Sequence, residues 1–361
     1  MAKTLQQILG WENLTKLVTD VVGGIPDNLL DPGFLNLTRP VSGAVTSWTV
    51  SANTRQNARI VPYGSPSWKR QLQPIGDRSA KLVHVYEHQD HMGSTLVALR
   101  DFDSPAKQEK GQREVDRQVA EFGRRLRNTR VSAIASMLRH GELYIDSSGN
   151  ILPTSSSASI TVDFGVSANH KNQLNGIIGT TWATDSVDVA GDITAIKKQG
   201  LKDSGLPITT AYYGDNILEY LASNTALANV INGNPAFAQS FGQNEIPDGF
   251  LGLKWRPGYN LFFEDPDGTN QDWWGGDTIV FTPDVNRDWY EMQEGSFLIP
   301  NDLGGISGDA GAALGQLDEV NGMFNYAKVV DDPPRVQHFM GDTFLPVMYI
   351  PDAIFIADVV P

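Results

Sequence analysis

Two histidines and a glutamate lie close together at residues 84–88, where the sequence reads His-Val-Tyr-Glu-His. This is the H-x-x-E-H arrangement of the inverted zinc metallopeptidases. Two histidines four residues apart bind one metal ion only on a helix, because a helix brings positions i and i+4 onto one face. The residues around His84 instead alternate like a β-strand, so we expect an exposed polar strand. Zinc catalysis by His84, Glu87 and His88 is kept as the alternative from a different functional class, beside adventitious metal binding that includes Asp90 and His91.

Two other segments could bind ions or phosphate. The acidic stretch 264–272 has enough oxygen ligands for calcium, but its glycine falls at the wrong place for an EF-hand loop, and a tight turn between strands explains it more simply. The glycines of 304–311 match neither a dinucleotide fingerprint nor a phosphate-binding loop. The chain has no cysteine and no G-x-S-x-G elbow. We therefore expect no catalytic residue, no cofactor and no metal.

One long amphipathic helix is the dominant element that the sequence predicts. From Val115 to Leu138 the apolar residues recur in steps of mostly three and four, which places them on one helical face. Ser104 and Pro105 form a start signal, and Gly141 follows a cationic last turn as a stop signal. A helix over 105–140 would be roughly 50 Å long, about the width of a compact protein of 361 residues. Such a helix suits a plate with a structural spine, although Gly111 or Gly123 could kink it.

Charge divides the chain into two unlike halves. Residues 1–142 contain 19 Lys and Arg against 14 Asp and Glu, whereas residues 143–361 contain 9 against 28. The segment 55–81 has six basic residues and a single acid, Asp77. It could contact the acidic half of an identical subunit, be a solvated surface, or bind nucleic acid. The candidate inter-subunit residues are Arg55, Arg59, Lys69, Arg70, Arg78 and Lys81.

The long helix contains a second group of basic residues. These could form a solvated face, pair with a neighbouring subunit or contact packaged nucleic acid. Its candidate contact residues are Arg113, Arg117, Arg124, Arg125, Arg127 and Arg130.

Composition and order along the chain suggest an α+β protein. With 40% hydrophobic residues the chain can form a large core. The first residues lack the apolar core of a signal peptide, and no stretch approaches the roughly 20 apolar residues of a membrane span. We therefore expect a soluble protein made in a cytoplasm.

The sequence also predicts the order of elements along the chain. A turn-rich start is followed by strands at 59–63, 81–86 and 94–99, then by the helix and, from about 205, by a mixed α and β unit. The apolar tail 343–360 should be strand sequence that returns to the first unit.

This order resembles the major capsid proteins of tailed bacteriophages, and among them the lambda-type head protein family, also called phage major capsid protein E. Three stretches carry the resemblance, in the right order. The first is Val162-Asp163-Phe164-Gly165, and the second is Gly179-Thr180-Thr181-Trp182, which is followed by Asp188 and Asp192. The third is the tail sequence 345–355, similar to the terminal strand of the family. The first 50 residues resemble the family least.

The resemblance implies an α+β capsid fold with a peripheral domain on the spine helix, an axial domain, an extended β-hairpin loop and an N-terminal arm. The implied bounds are 1–54 for the arm, 55–103 for the extended loop and connecting strands, 104–204 for the peripheral domain, 205–334 for the axial domain and 335–361 for a C-terminal return to the peripheral domain.

The implied function is non-enzymatic self-assembly into hexamers and pentamers of an icosahedral shell around phage double-stranded DNA. Head-to-tail contacts between copies can close into rings. Expected partners are other copies of the chain, scaffolding, portal, and decoration or cement proteins, and DNA bound without sequence specificity. The implied location is the virion capsid, assembled in the cytoplasm of a host bacterium. The shell of a bacterial nanocompartment is the alternative within the same architecture.

Overall fold

The computed structural model describes residues 12, 14–18, 30–51, 76–91, 105–171, 174, 176–265, 268–300, 317–330 and 335–360. Within them, the helices are α1 (Gly33–Asn36), α2 (Pro105–His140), α3 (Val189–Ser204), α4 (Asp215–Ser223), α5 (Ala228–Gly233) and α6 (Pro235–Gly242). The strands of the first half are β1 (Thr38–Val41), β2 (Val45–Val50), β3 (Gly76–Lys81), β4 (Val83–His91), β5 (Glu142–Ile145), β6 (Ile151–Leu152) and β7 (Ile160–Asp163). Those of the second half are β8 (Ile208–Tyr213), β9 (Lys254–Pro257), β10 (Phe262–Glu264), β11 (Asn270–Asp272), β12 (Thr278–Pro283), β13 (Tyr290–Pro300), β14 (Leu317–Asn321), β15 (Phe324–Val330), β16 (Arg335–Met348) and β17 (Phe355–Asp358).

The long helix α2 confirms the strongest expectation from the sequence. It extends without interruption over 36 residues, through both Gly111 and Gly123, which corresponds to roughly 54 Å. The apolar residues that the periodicity selected, from Val115 and Val119 to Ile134 and Leu138, are buried. The predicted cap Ser104 lies outside the described residues.

The helix ends at Gly141, as the sequence predicts. Gly141 has a φ of 65°, in the left-handed region, and its N–H donates to the Met137 carbonyl at 2.8 Å. A Cβ at this position would lie 2.6 Å from Cγ2 of Val166. Glycine is therefore required here both by the backbone conformation and by the packed side chain.

We expect Gly141→Ala to lower the free energy of unfolding by about 2 kcal/mol, combining left-handed strain with displacement of Val166. Gly179→Ala is the matched control, because its φ is ordinary and a Cβ there meets nothing within 4 Å. Chemical denaturation of unassembled subunits measures both. Equal stability of the two variants would contradict the role given to Gly141.

The larger sheet joins distant parts of the chain. Its order is β1-β13-β16-β15, with β4 paired to β16 and β14 paired to β13. Strand β1 is parallel to β13, and the Tyr290 hydroxyl donates to the Phe34 carbonyl at 2.8 Å, across 256 positions of sequence. Val115, Val119 and Phe122 of α2 pack with Val336 and Met340 of β16, and Leu14 and Val18 join this cluster. The helix thus covers one face of the sheet.

The second sheet has the order β17-β12-β8-β9 and packs against α3 and α4 in a separate core cluster. Residues 250–252 form a turn of 3-10 helix directly before β9. Gly214 is the N-cap of α4, whose first residue is Asp215.

The tail contributes to both sheets. Strand β16 pairs with β4, β13 and β15, whereas β17 pairs with β12. The strand character expected of the tail is present in β16 and β17, whereas its return to the first unit stays a prediction, because β16 pairs with β13 and β15 of the second half as well as with β4. The domain bounds themselves stay a prediction. Among the described helices, none is both long enough and apolar enough to cross a bilayer.

Candidate subunit-contact surfaces

The H-x-x-E-H segment lies on β4, as the alternation predicts. Because side chains alternate along a strand, His84 and His88 share one face and Glu87 points to the other. Glu87 is paired with Arg125 of α2 at 3.0 Å, and Nδ1 of His84 lies 2.8 Å from the Thr343 hydroxyl. The geometry of the inverted metallopeptidase motif is therefore not formed. Within the described part of the chain, no group of three or more potential ligands is placed to hold a metal ion.

The acidic stretch 264–272 is a hairpin turn between β10 and β11, the simpler of the two interpretations. Gly268 has a φ of 83°, and its N–H donates to the Asp265 carbonyl at 3.0 Å. The Asp265 carboxylate accepts hydrogen bonds from the Thr269 N–H at 2.9 Å and from the Gln271 amide at 3.1 Å. The Asp265 carboxylate therefore stabilises the turn through hydrogen bonds within it. The glycines of 304–311 lie outside the described residues.

Two of the six candidate loop residues are described, and both lie on β3. Arg78 binds the Asp163 carboxylate at 2.9 Å and the Asp163 carbonyl at 2.7 Å, within its own subunit. Lys81 is exposed and pairs through its backbone with Val45 of β2. Arg55, Arg59, Lys69 and Arg70 lie outside the described residues.

The β2–β3 hairpin stem is fixed to the body of the subunit. Trp48 is buried and lies against Phe164, with ring centroids 6.3 Å apart. The Thr46 hydroxyl donates to the Gln293 side chain of β13. Arg78 lies directly opposite Trp48, so the Arg78–Asp163 pair acts on the same face, and all three contacts hold one face of the stem against the body of the subunit. The stem formed by β2 and β3 is therefore fixed in place on the subunit.

The arginines of α2 divide into an exposed set and a buried set. Arg113, Arg117 and Arg124 are exposed, and Arg125 is exposed beside Glu87. Arg127 and Arg130 are buried, at 6% and 5% exposure. Burial inside the subunit removes Arg127 and Arg130 from the candidate contact residues, and contact through the exposed arginines stays a prediction.

Arg130 forms a buried ionic cluster that sequence reasoning missed. Its guanidinium donates two hydrogen bonds to Asp342 of β16, at 2.6 and 2.7 Å, and one to Glu294 of β13 at 2.8 Å. Burial alone would lower the pKa of Arg130, but the two carboxylates raise it above its ordinary value. The charge therefore persists in the interior and joins α2 to two strands of the larger sheet.

An aromatic cluster covers the face of this sheet that α2 leaves open. Phe297 stacks on Phe324 at 4.3 Å, Tyr326 stacks on Phe339 at 4.9 Å, and the hydroxyls of Tyr86 and Tyr326 are 2.6 Å apart. The cluster combines residues from β4, β13, β15 and β16. No local pattern revealed it, because its members come from four separate segments. Tyr86, 44% exposed, forms its outer edge.

Residues 10–359 match the profile of the family described as phage major capsid protein E. The chain belongs to this family. The match includes nearly the whole sequence, so it covers both sheets, the long helix and the β2–β3 stem. A search of curated proteins finds no match.

Two solved structures are similar to this chain. A phage-related protein from Bordetella bronchiseptica RB50 is 11% identical, with 97% of each chain covered and a TM-score of 0.50. A chain from a procapsid of satellite phage P4 is also 11% identical, with 96% of this chain and 90% of that chain covered and a TM-score of 0.47. At this identity the likeness concerns the fold alone.

Membership of the phage major capsid protein E family confirms the resemblance and the fold class inferred from the sequence. The protein is a structural component of a bacteriophage capsid, and its place is the virion. The surfaces of the subunit are therefore its candidate functional sites.

Proposed function

We propose that this phage major capsid protein E family member assembles into hexamers and pentamers of an icosahedral head shell that encloses double-stranded phage DNA. The family match over residues 10–359 is the observation that carries the proposal. A shell requires each subunit to contact several copies of itself through different surfaces, and such head-to-tail contacts close into rings. Scaffolding, portal, and decoration or cement proteins would be its further partners, and the host cytoplasm its place of assembly.

The charge division supplies the attraction between subunits. The basic segment 55–81 includes strand β3 of a stem that Trp48 and Arg78 hold to the subunit. Residues 143–361 have a net charge of −19. A loop with six basic residues that lies across an acidic neighbour would gain favourable electrostatic energy and a defined register. The same net negative charge disfavours direct binding of the chain to DNA phosphates, as expected for a shell that encloses DNA without binding it tightly.

The domain assignment completes the proposal. Residues 55–103 would form the extended loop, 104–204 with 335–361 the peripheral domain, and 205–334 the axial domain, after an arm over 1–54. Its support is the packing of α2 against β16, both within the proposed peripheral domain, and a separate core around α4, β8 and β12 within the proposed axial domain.

Electron microscopy of the overexpressed protein tests the proposed function. We expect closed shells built of six- and five-membered rings, and nuclease-protected DNA inside particles recovered from phage. A purified chain that stays monomeric under all conditions would refute the proposal. Particles that enclose an enzyme in place of DNA would support the nanocompartment alternative.

We expect the double variant Arg70→Glu/Lys81→Glu to reduce particle yield at least about tenfold while the subunit stays folded. Reversing two charges at each loop contact replaces attraction by repulsion, and about 1.4 kcal/mol per contact corresponds to that factor. Raising the salt concentration should also slow early assembly of the unmodified protein, because exposed charges are screened beyond about 8 Å at physiological ionic strength. Light scattering measures both effects.

The double variant Lys198→Glu/Lys202→Glu is the matched control. Both lysines are exposed on α3, and their reversal changes the net charge by the same amount. Similar particle yields for the two double variants would remove the loop from the proposed contact.

A further inference from the structure

The longest stretch of the chain without a charged side chain is Tyr220–Asn244. These 25 residues contain no Asp, Glu, Lys, Arg or His, although residues 205–334 as a whole contain 19 acidic and 4 basic residues. Glu219 and Glu245 flank the stretch directly. An acidic region thus contains one long stretch of chain without charge of either sign.

This stretch forms the end of α4 together with α5 and α6. Side chains that point to solvent include Ala226, Asn229, Val230 and Gln239, all uncharged, and Val230 is 46% exposed. Helix α6 has no buried residue. Its Phe237 and Phe241 are only half-buried, edge-to-face against Phe250 at 5.6 and 5.1 Å. The residues 222–244 are called the neutral surface below.

The neutral surface stands on a well-packed base. Leu221, Leu227 and Ile231 are buried in the core of the second sheet. The Asn224 side chain donates to the Val187 carbonyl at 2.9 Å and accepts from the Leu227 N–H at 3.0 Å. The outward side chains are therefore presented in a fixed arrangement, which a repeated protein contact requires.

Symmetry gives a physical reason for the missing charges. Near the rotation axis of a ring of identical subunits, each side chain lies close to its own equivalents in the neighbouring copies. A charge of either sign there would face the same charge and repel it. A surface without charge lets copies of an acidic region meet at the axis without this repulsion. The neutral surface meets this condition over a longer stretch than any other part of the chain.

We propose that the neutral surface lies at the rotation axis of the ring and that its occupant is the neutral surface of neighbouring copies. This inference rests on the proposed assembly into rings and names the surface at which copies of the acidic region meet. The basic loop and the neutral surface then have different tasks. The basic loop contacts an acidic surface of a neighbouring subunit, whereas the neutral surface contacts the neutral surfaces of other copies without charge repulsion.

Charge placed at Val230 tests the proposal. We expect Val230→Glu and Val230→Lys each to reduce the yield of rings and particles at least tenfold, because either charge would face its own copies. Val230→Gln is the matched control, similar in size to glutamate but neutral, and should assemble like the unmodified protein. An equimolar mixture of the Glu and Lys variants should recover six-membered rings, in which opposite charges can alternate. Native mass spectrometry counts the rings, and circular dichroism verifies folding of each variant.

Gln239→Glu, which keeps the shape of the native side chain on α6, replaces the Val230 variants if these fail to fold. Assembly of Val230→Lys at the unmodified level, with loss only for Val230→Glu, would overturn the proposal, because the surface would then meet an unlike acidic one. Equal loss in Val230→Gln would also overturn it. If the unmodified protein forms no rings at all, the proposed function fails and this inference fails with it. Normal assembly of every charged variant refutes the inference alone.

Discussion

Replacing Arg130 by methionine will lower the free energy of unfolding by about 3 to 5 kcal/mol. The substitution keeps an apolar side chain of similar length but leaves the fully buried Asp342 without the cation that compensates it. Glu294 loses its 2.8 Å partner at the same time. Because the cluster joins α2 to β13 and β16, the loss should weaken the spine helix and the larger sheet together. Chemical denaturation of unassembled subunits measures the change.

Arg117→Met provides the comparison on the same helix. Arg117 is exposed and pairs with Glu114 three residues earlier, an arrangement worth less than about 0.5 kcal/mol. The double variant Arg130→Met/Asp342→Leu should recover part of the loss, since it removes the uncompensated carboxylate as well. If Arg130→Met costs no more than Arg117→Met, the cluster does not stabilise the fold.

Truncating Phe324 to alanine will also cost about 3 to 5 kcal/mol. Phe324 is fully buried between Phe297, whose ring is 4.3 Å away, and Gly341 of the neighbouring strand β16. A Cβ on Gly341 would lie only 2.4 Å from the Phe324 ring, so the ring fills its space closely. The cavity would open in the middle of the aromatic cluster and loosen the stacking between β13 and β15.

Leu298→Ala is the control for this second variant. Leu298 follows Phe297 on β13 but is 54% exposed, so its truncation should change stability by less than about 0.5 kcal/mol. The same denaturation measurement compares the two. A loss below about 1 kcal/mol for Phe324→Ala would show that the cluster closes over the missing ring or never packed tightly.

Local patterns in the sequence were sufficient for the elements that depend on neighbouring residues. The spacing of Val115, Val119 and Phe122 predicted the buried face of α2, and Gly141 predicted its end. The alternation around His84 predicted β4 and thereby argued against a helical zinc motif. The acidic turn between β10 and β11 followed from its Asp and Gly residues alone.

Features built from distant segments could not be predicted in this way. Arg130 lies four residues after Leu126 and four before Ile134, so its place on the buried face was visible in the sequence. Its partners Glu294 and Asp342 lie 164 and 212 positions away, however, and no local pattern identifies them. The aromatic cluster depends on the register of β16 with β4 and β15, which sets Phe339 opposite His88 and Tyr326. The pairing of β17 with β12 likewise depends on the tertiary fold.

The pairing of the parallel strands β1 and β13 delays completion of the fold while the chain is being translated. Phe34 must find Tyr290, 256 positions further along the chain. At translation rates of about 5 to 20 residues per second, a ribosome needs roughly 13 to 50 s to make the intervening polypeptide. Throughout that interval the first strand has no native partner. A newly started chain therefore cannot complete the larger sheet before β13 has been synthesised.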